Sequence, residues 1–187
     1  MAELRIIAGK WRSRKISFFD YPGIRPTLNQ IRETVFNWLQ TSIPEATCLD
    51  LFAGSGAFGI EALSRGAKCV DFVDNHPKVI ASIQQSLEQL EAEEAGHAYV
   101  RQLPHDLRQL KKQYDVIFVD PPYNTPLLQQ TLDYLKNSEL LAPHSVVYFE
   151  AGKQDIIDTE GWEMVRHKST KNLQYGLASI KPGQSLS

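Results

Sequence analysis

Asp120-Pro121-Pro122-Tyr123 combines residue types that suit chemistry on an amine. It follows the apolar run Val116-Ile117-Phe118-Val119, which has the composition of a buried strand. Consecutive prolines fix φ and lack an N–H, so the segment presents carbonyl oxygens in a stiff arrangement. The exocyclic amine of a nucleobase is a poor nucleophile, because its lone pair is delocalised into the ring. Two acceptors aimed at its N–H bonds, the Asp120 carboxylate and the Pro121 carbonyl, would draw the nitrogen toward a tetrahedral shape. The lone pair would then turn toward an incoming methyl group. Pro122 stiffens the turn, and Tyr123 offers a ring on which the base could stack. A polar strand end with a proline-rich turn is the plain alternative.

The second segment is Asp50-Leu51-Phe52-Ala53-Gly54-Ser55-Gly56-Ala57-Phe58-Gly59. It places G-x-G-x-x-G after a run with strand composition and before a helical one. Such a turn lets a ligand lie against bare backbone. Asp74, 20 residues after Gly54, stands where a carboxylate would meet ribose hydroxyls, with Asn75 beside it. The turn alone indicates a nucleoside-containing cofactor, and a nicotinamide dinucleotide or an unliganded tight turn are alternatives. Asp50, four residues before Gly54, favours S-adenosyl-L-methionine. A carboxylate there can face that cofactor's charged amino group, whereas a dinucleotide would bring an anionic pyrophosphate. Asp106, followed by Leu107, is placed to meet an adenine amine; a solvent-exposed loop residue is the alternative. The expected cofactor contacts are therefore Asp50, Phe52, Ala53, Gly54, Ser55, Gly56, Asp74, Asn75, Asp106 and Leu107. No metal is expected, because His76, His97, His105, His144 and His167 are scattered and Cys48 and Cys69 make no ligand pattern.

The elements needed to position these groups are legible as an alternation. Short strands are expected at 4–7 and 15–19 with a basic turn between them. Thr27 and Gln30 fit a capping box before a helix bearing Leu28, Ile31, Val35 and Leu39, which Pro44 ends. Strands follow at 47–52, 69–74, 98–103, 115–120 and 146–150. Helices lie around Ile60–Leu63, after Pro77 and over 127–135, and a closing hairpin spans 162–166 and 173–180. Continuous apolar strand centres alternating with helices imply a mostly parallel sheet covered on both faces.

The 187 residues carry a net charge of -2, are 42% hydrophobic and 22% charged, and have no composition suited to long disorder, collagen or coiled coil. The even balance hides a split. Residues 1–32 hold seven basic and two acidic side chains, residues 164–187 hold four basic and no acidic ones, and the stretch between them carries -11. A basic terminus points to an anionic partner, with a solvated surface as the alternative. Lys10, Arg12, Arg14 and Lys15 in the hairpin are the expected phosphate contacts. Arg25, Thr27 and Arg32 are expected near the site entrance, although structural ion pairs explain the arginines equally. Trp11 is read as hairpin packing or as a stacking surface. With no signal peptide and no apolar run of bilayer length, a cytoplasmic protein without a membrane partner is expected.

Taken together, the glycine turn and the DPPY tetrapeptide resemble the class I S-adenosylmethionine-dependent amino-methyltransferases. The chain as a whole resembles the bacterial 16S ribosomal RNA guanine-N2 methyltransferases of the RsmD type. The segments carrying the resemblance are 5–12 (RIIAGKWR), 24–27 (IRPT), 31–39 (IRETVFNWL), 50–59, 61–66 (EALSRG) and 120–123. Departures are Asp74 where the family usually has Glu, Ser86 where it commonly has Asn, and the lack of a glycine near 169. The resemblance implies an α/β, Rossmann-like fold. It has a mostly parallel seven-stranded sheet with helices on both faces, plus a small N-terminal β-hairpin and helix. It divides the chain into a hairpin and loop appendage at 1–26 and a methyltransferase domain at 27–187. The implied activity is methyl transfer from S-adenosyl-L-methionine to the N2 amine of a guanine in 16S ribosomal RNA, within the small subunit or a precursor; a monomer is the default expectation. Asp120, Pro121, Pro122 and Tyr123 are its catalytic segment. A methyltransferase for DNA adenine N6 or a protein amide is the runner-up, and a non-catalytic RNA-binding factor the third reading.

Overall fold

The computed structural model describes residues 2–19 and 29–181. Strands β1 (Ala2–Arg5) and β2 (Lys15–Phe18) form an antiparallel hairpin. Helix α1 (Asn29–Trp38) follows, then β3 (Thr47–Leu51), α2 (Ala57–Ser64), β4 (Cys69–Asp74), α3 (Pro77–Gln89) and β5 (Gly96–Val100). A short 3-10 turn (His105–Gln109) leads to β6 (Tyr114–Val119), α4 (Leu127–Lys136), β7 (Leu141–Gly152), β8 (Trp162–Ser169) and β9 (Leu173–Ile180).

The main sheet has seven strands in the order β5-β4-β3-β6-β7-β9-β8. Only β9 runs against its neighbours, pairing antiparallel with both β7 and β8. From β3 the chain winds outward through β4 to β5, then crosses back to β6 and β7. The switch point therefore lies between β3 and β6, the crevice where open parallel sheets place ligands. Leu51 pairs with both Val73 and Val119, and Val119 pairs with Phe149. The residues that follow these strand ends therefore emerge side by side: Phe52 after β3, Asp120 after β6 and Glu150 along β7.

The apolar centres of β3, β4 and β6 are buried because helices cover both faces. On one face α1, α2, α3 and the hairpin share a core that includes Ile6, Ile16, Val35, Phe36, Ile60 and Ile83. On the other, Leu128, Leu132 and Leu135 of α4 pack against Leu49, Ile117 and Val147. The hairpin's Leu4, Ile6, Trp11, Ile16 and Phe18 belong to the first core, so the hairpin is packed as part of the same body. Trp11 is 6% exposed, which decides its role in favour of packing. Among the described residues no helix is long and apolar enough to cross a membrane.

Several strands differ from the expected bounds: β1 lies two residues earlier and β8 runs three residues further, while the shifts of β5 and β7 have identifiable causes. β5 begins at Gly96 because Val70 pairs with Gly96, and the strand is finished by the Arg101 N–H donating to the Asp74 carbonyl. The glycine concealed the strand, yet it is needed. A Cβ there would lie 2.5 Å from Leu87 of α3. β7 starts at Leu141, well before Val146, through a register shift that carries Pro143 and His144 (φ 66°) within the strand. Proline and a left-handed residue made that stretch look like a loop. Of the proposed Thr27–Gln30 capping box, Gln30 lies in α1, while Thr27 and Leu28 lie outside the described residues.

Candidate active site

The glycine turn is built by the strand pairing beneath it. Ala53 N–H donates to the Val73 carbonyl at 3.0 Å, and Gly56 N–H closes onto the Ala53 carbonyl at 2.7 Å. Gly54 (φ 51°) and Gly56 (φ 72°) take the left-handed conformation that lets the chain reverse into α2. Gly59 permits close packing of α2 on β4, where a Cβ would sit 2.1 Å from the Phe72 ring. Phe52 (φ 58°) is half-buried, and Ala53 and Ser55 are buried.

Two carboxylates hold this turn. Asp74 accepts the Gly54 N–H at 3.0 Å and the His76 N–H at 2.9 Å, joining the glycine turn to the end of β4. Each oxygen retains acceptor capacity for hydroxyl donors. Asn75 beside it is exposed. Asp50 is 2% exposed and accepts the Gly59 N–H at 2.9 Å. Burial pushes its carboxyl up to about 8, the Gly59 hydrogen bond opposes this, and the nearby Asp74 charge adds to it. A buried acid raised in this way, beside a bare-backbone turn, fits a ligand that brings a positive charge. Asp74 at the neighbouring strand end fits one that brings hydroxyls. Two acceptor carboxylates at these positions suit S-adenosylmethionine, which brings an ammonium group and ribose hydroxyls.

The third expected cofactor acid is used locally. Asp106 accepts the Gln102 N–H at 2.9 Å and contacts His105 Nδ1 at 2.8 Å, with the Gln102 bond chiefly holding its carboxyl below the ordinary range. Leu107 is fully buried in the α4-side core and its N–H donates to the Pro104 carbonyl. Its side chain anchors the 3-10 turn to that core.

Asp120 stands half-buried at the end of β6, with Pro121 buried and Pro122 and Tyr123 exposed. Thr125 Oγ1 donates to the Pro122 carbonyl at 2.7 Å and fixes the turn after the prolines. The Tyr123 hydroxyl donates to Glu150 Oε1. Tyr148 donates to Glu150 Oε2 at 2.8 Å, and Tyr148 is fully buried against the rings of Phe58 and Phe118. Glu150 is itself 2% exposed, and burial raises its carboxyl above the usual range while the two phenols oppose the shift. Sequence reading missed Glu150 and Tyr148, because both sit in a run that reads as ordinary strand.

The hairpin presents Lys10, Arg12, Arg14 and Lys15 to solvent. Lys10 Nζ lies 5.3 Å over the Trp11 ring, Lys15 pairs with Glu3 at 2.7 Å, and Arg14 donates to the Gln89 carbonyl at the end of α3 at 2.7 Å. Arg32 does not join this surface. It is 0% exposed and donates Nη2 to the Arg5 carbonyl at 2.9 Å and to Asn29 Oδ1 at 2.7 Å. The expectation that Arg32 is exposed to RNA near the site entrance is therefore corrected, and its structural alternative holds: the buried guanidinium braces α1 against the hairpin. Arg25 and Thr27 lie outside the described residues.

What fixes the hairpin is Glu61 of α2, a buried residue not singled out by its chemistry in the sequence. Glu61 accepts the Ile7 N–H at 2.8 Å, the Ala8 N–H at 3.0 Å and Arg65 Nε at 2.8 Å. Ser64 Oγ accepts the Trp11 N–H at 3.0 Å and donates to the Ala8 carbonyl at 2.6 Å. Gly9 (φ 84°) touches the same turn, and a Cβ there would lie 1.8 Å from the Ser64 carbonyl oxygen. Ser86, in place of the family's common Asn, is buried and donates to the Ser82 carbonyl on its own helix. Among the described residues, no group of three or more His, Cys, Asp or Glu side chains could hold a metal ion.

The family described as conserved hypothetical protein 95 matches residues 4–178. Ribosomal RNA small subunit methyltransferase D of Haemophilus influenzae is 38% identical over 179 residues, covering 94% of this chain and 93% of that protein. The Escherichia coli protein of the same name is also 38% identical over 179 residues, 94% of this chain and 89% of that one. The solved structure of yhhF from Escherichia coli superposes with a TM-score of 0.87 at 34% identity, over 96% of this chain and 99% of the other.

Proposed function

The chain belongs to the conserved hypothetical protein 95 family, that of the RsmD methyltransferases, and from that membership we propose that it methylates the N2 amine of a guanine in small-subunit ribosomal RNA. S-adenosylmethionine is the cofactor and, when bound, supplies an electrophilic methyl group on a sulfonium. The observation that carries the reading is one adjacency. Asp120-Pro121-Pro122-Tyr123 leaves β6 directly beside the glycine turn that leaves β3, at the point where the strand order reverses.

The residues divide the work as follows. Asp50 faces the positive end of the cofactor, Asp74 takes its hydroxyls, and the backbone of 52–56 gives it a close-fitting floor. Asp120 and the Pro121 carbonyl accept the two N–H bonds of the guanine amine and orient its lone pair. The Asp120 carboxylate also stabilises the positive charge that grows on nitrogen as the methyl–sulfur bond breaks, and the methylated amine then loses one proton to water, leaving a neutral amine and a neutral thioether. Tyr123 stacks on the base, which has left its own stack at a cost of a few kcal/mol. Lys10, Arg12, Arg14 and Lys15 contact phosphates and offset that cost. Positioning of the two reactants accounts for most of the acceleration.

Tritiated methyl transfer to small ribosomal subunits, free ribosomal RNA, DNA and protein tests this, with Asp120→Ala as control and nucleoside chromatography of the labelled RNA. Label in N2-methylguanosine is expected from the wild type and not from the variant. Label in DNA or protein, or at another base atom, overturns the proposed substrate.

A further inference from the structure

Glu150 is a buried carboxylate bonded to the DPPY turn that the proposed chemistry leaves unused. It cannot act by touching solvent or substrate freely, since it is 2% exposed. Its two oxygens are divided between two phenols: Tyr123 on Oε1 and Tyr148 on Oε2. These tyrosines have opposite surroundings. Tyr123 is 38% exposed on a turn, while Tyr148 is 0% exposed on the central part of β7. Tyr148 lies 4.8 Å from the Phe58 ring and 6.3 Å from the Phe118 ring, centroid to centroid. Phe58 in turn stacks on Phe118 at 5.1 Å and belongs to α2, the helix that leaves the glycine turn.

A ring exposed on a turn samples several rotamers, and a stacking platform must hold one. A buried carboxylate is an expensive way to fix a rotamer unless the position of the ring matters. An apolar residue at 150 would fill the same space in β7 without that desolvation.

We infer that Glu150 is a positioning residue: it tethers the Tyr123 ring to the rigid Tyr148–Phe58–Phe118 cluster and so fixes the plane on which the target base stacks. The inference rests on the proposed role of Tyr123. It adds that the Tyr123 hydroxyl matters as well as its ring, and that the effect reaches the substrate base and not the cofactor. The Tyr123–Glu150 bond itself joins the turn after β6 to β7, whereas Asp50 and Asp74 lie on β3 and β4, and the measured cofactor affinity separates the two effects.

The test compares Tyr123→Phe, Glu150→Met, their double variant and Tyr123→Ala in the full chain. Methyl transfer to small ribosomal subunits gives kcat and KM, calorimetry gives S-adenosylmethionine affinity, and thermal melting reports folding. Tyr123→Phe keeps the ring and loses the tether, so kcat/KM for the subunit is expected to fall about tenfold with cofactor affinity within about twofold. Glu150→Met is expected to give a similar loss, and the double variant no more than the larger single one, since both cut one link. Tyr123→Phe matching wild type overturns the tether, and so does a double variant whose losses multiply. Tyr123→Ala retaining full activity sinks the stacking role itself, which is a separate failure. If Glu150→Met melts below the assay temperature, the Phe and Ala variants at the exposed position 123 decide alone. Wild-type activity for Phe, with loss for Ala, then refutes the tether and leaves the stacking role standing.

Discussion

The Asp50 carboxylate accepts the Gly59 N–H at 2.9 Å from a position that is 2% exposed, so one buried acid holds the start of α2 against the end of β3. Burial raises that acid to about 8, against about 3.9 for a free carboxyl. A raised acid favours the fold in its protonated form. Its contribution is therefore full below about pH 4 and is lost as the pH climbs through about 8. A cation placed beside it reverses the shift. Binding of S-adenosylmethionine between about pH 6 and 7 is expected to release a proton, with affinity increasing as pH rises through that window. Calorimetry in buffers of different ionisation enthalpy checks this, and binding without proton release would refute it. Asp50→Asn is expected to remove the proton release, weaken binding at least tenfold and flatten the pH dependence of stability.

Asp120 does different work, and a different measurement isolates it. Asp120→Ala is expected to lower single-turnover methyl transfer about 100- to 1,000-fold, as loss of a group that meets developing charge does. Cofactor affinity should stay within about twofold. A large loss of cofactor affinity in Asp120→Ala would show that the residue serves the cofactor and not the amine.

The two recognisable segments were legible for a physical reason. Both are turns whose backbone demands particular residues: glycine where φ is positive, proline where a stiff carbonyl edge is presented. The parallel sheet was legible too, because strands covered on both faces are written as unbroken apolar runs. Glu150, Tyr148 and Glu61 were not, since their importance comes from partners 27, 2 and 54 residues away that only the folded chain brings together. Arg32 shows the converse. Its charge suggested a surface role, but the packing of α1 against the hairpin encloses it.

Glu61→Ala would leave the Ile7 and Ala8 N–H groups and the Arg65 guanidinium without their shared acceptor. Loss of a buried charged acceptor costs about 3 kcal/mol. For a chain of this size that lowers Tm by about 6–12 °C. Hydrogen exchange should localise the damage, with protection lost first at 2–18 and retained in β3 and β6. Unchanged protection of the hairpin amides would refute the clamp.

Lys10→Glu with Arg12→Glu tests the basic surface without disturbing Arg14, whose side chain also meets the end of α3. Binding of ribosomal RNA is expected to weaken, and its salt dependence to fall by about 0.7–0.9 log units per lost phosphate contact. S-adenosylmethionine affinity should not change. An unaltered salt slope would remove these residues from the interface.

Helix α2 runs from the glycine turn to the hairpin. Its first turn grows out of Gly56, and its last residue, Ser64, grips the hairpin. Eight residues of α-helix span about 12 Å and do not stretch. The basic hairpin and the glycine turn are thus mounted at the two ends of one short strut. The distance between them is a constant of the fold, and α2 works as a caliper. The reach from the hairpin to the glycine turn is set by the length of a single helix.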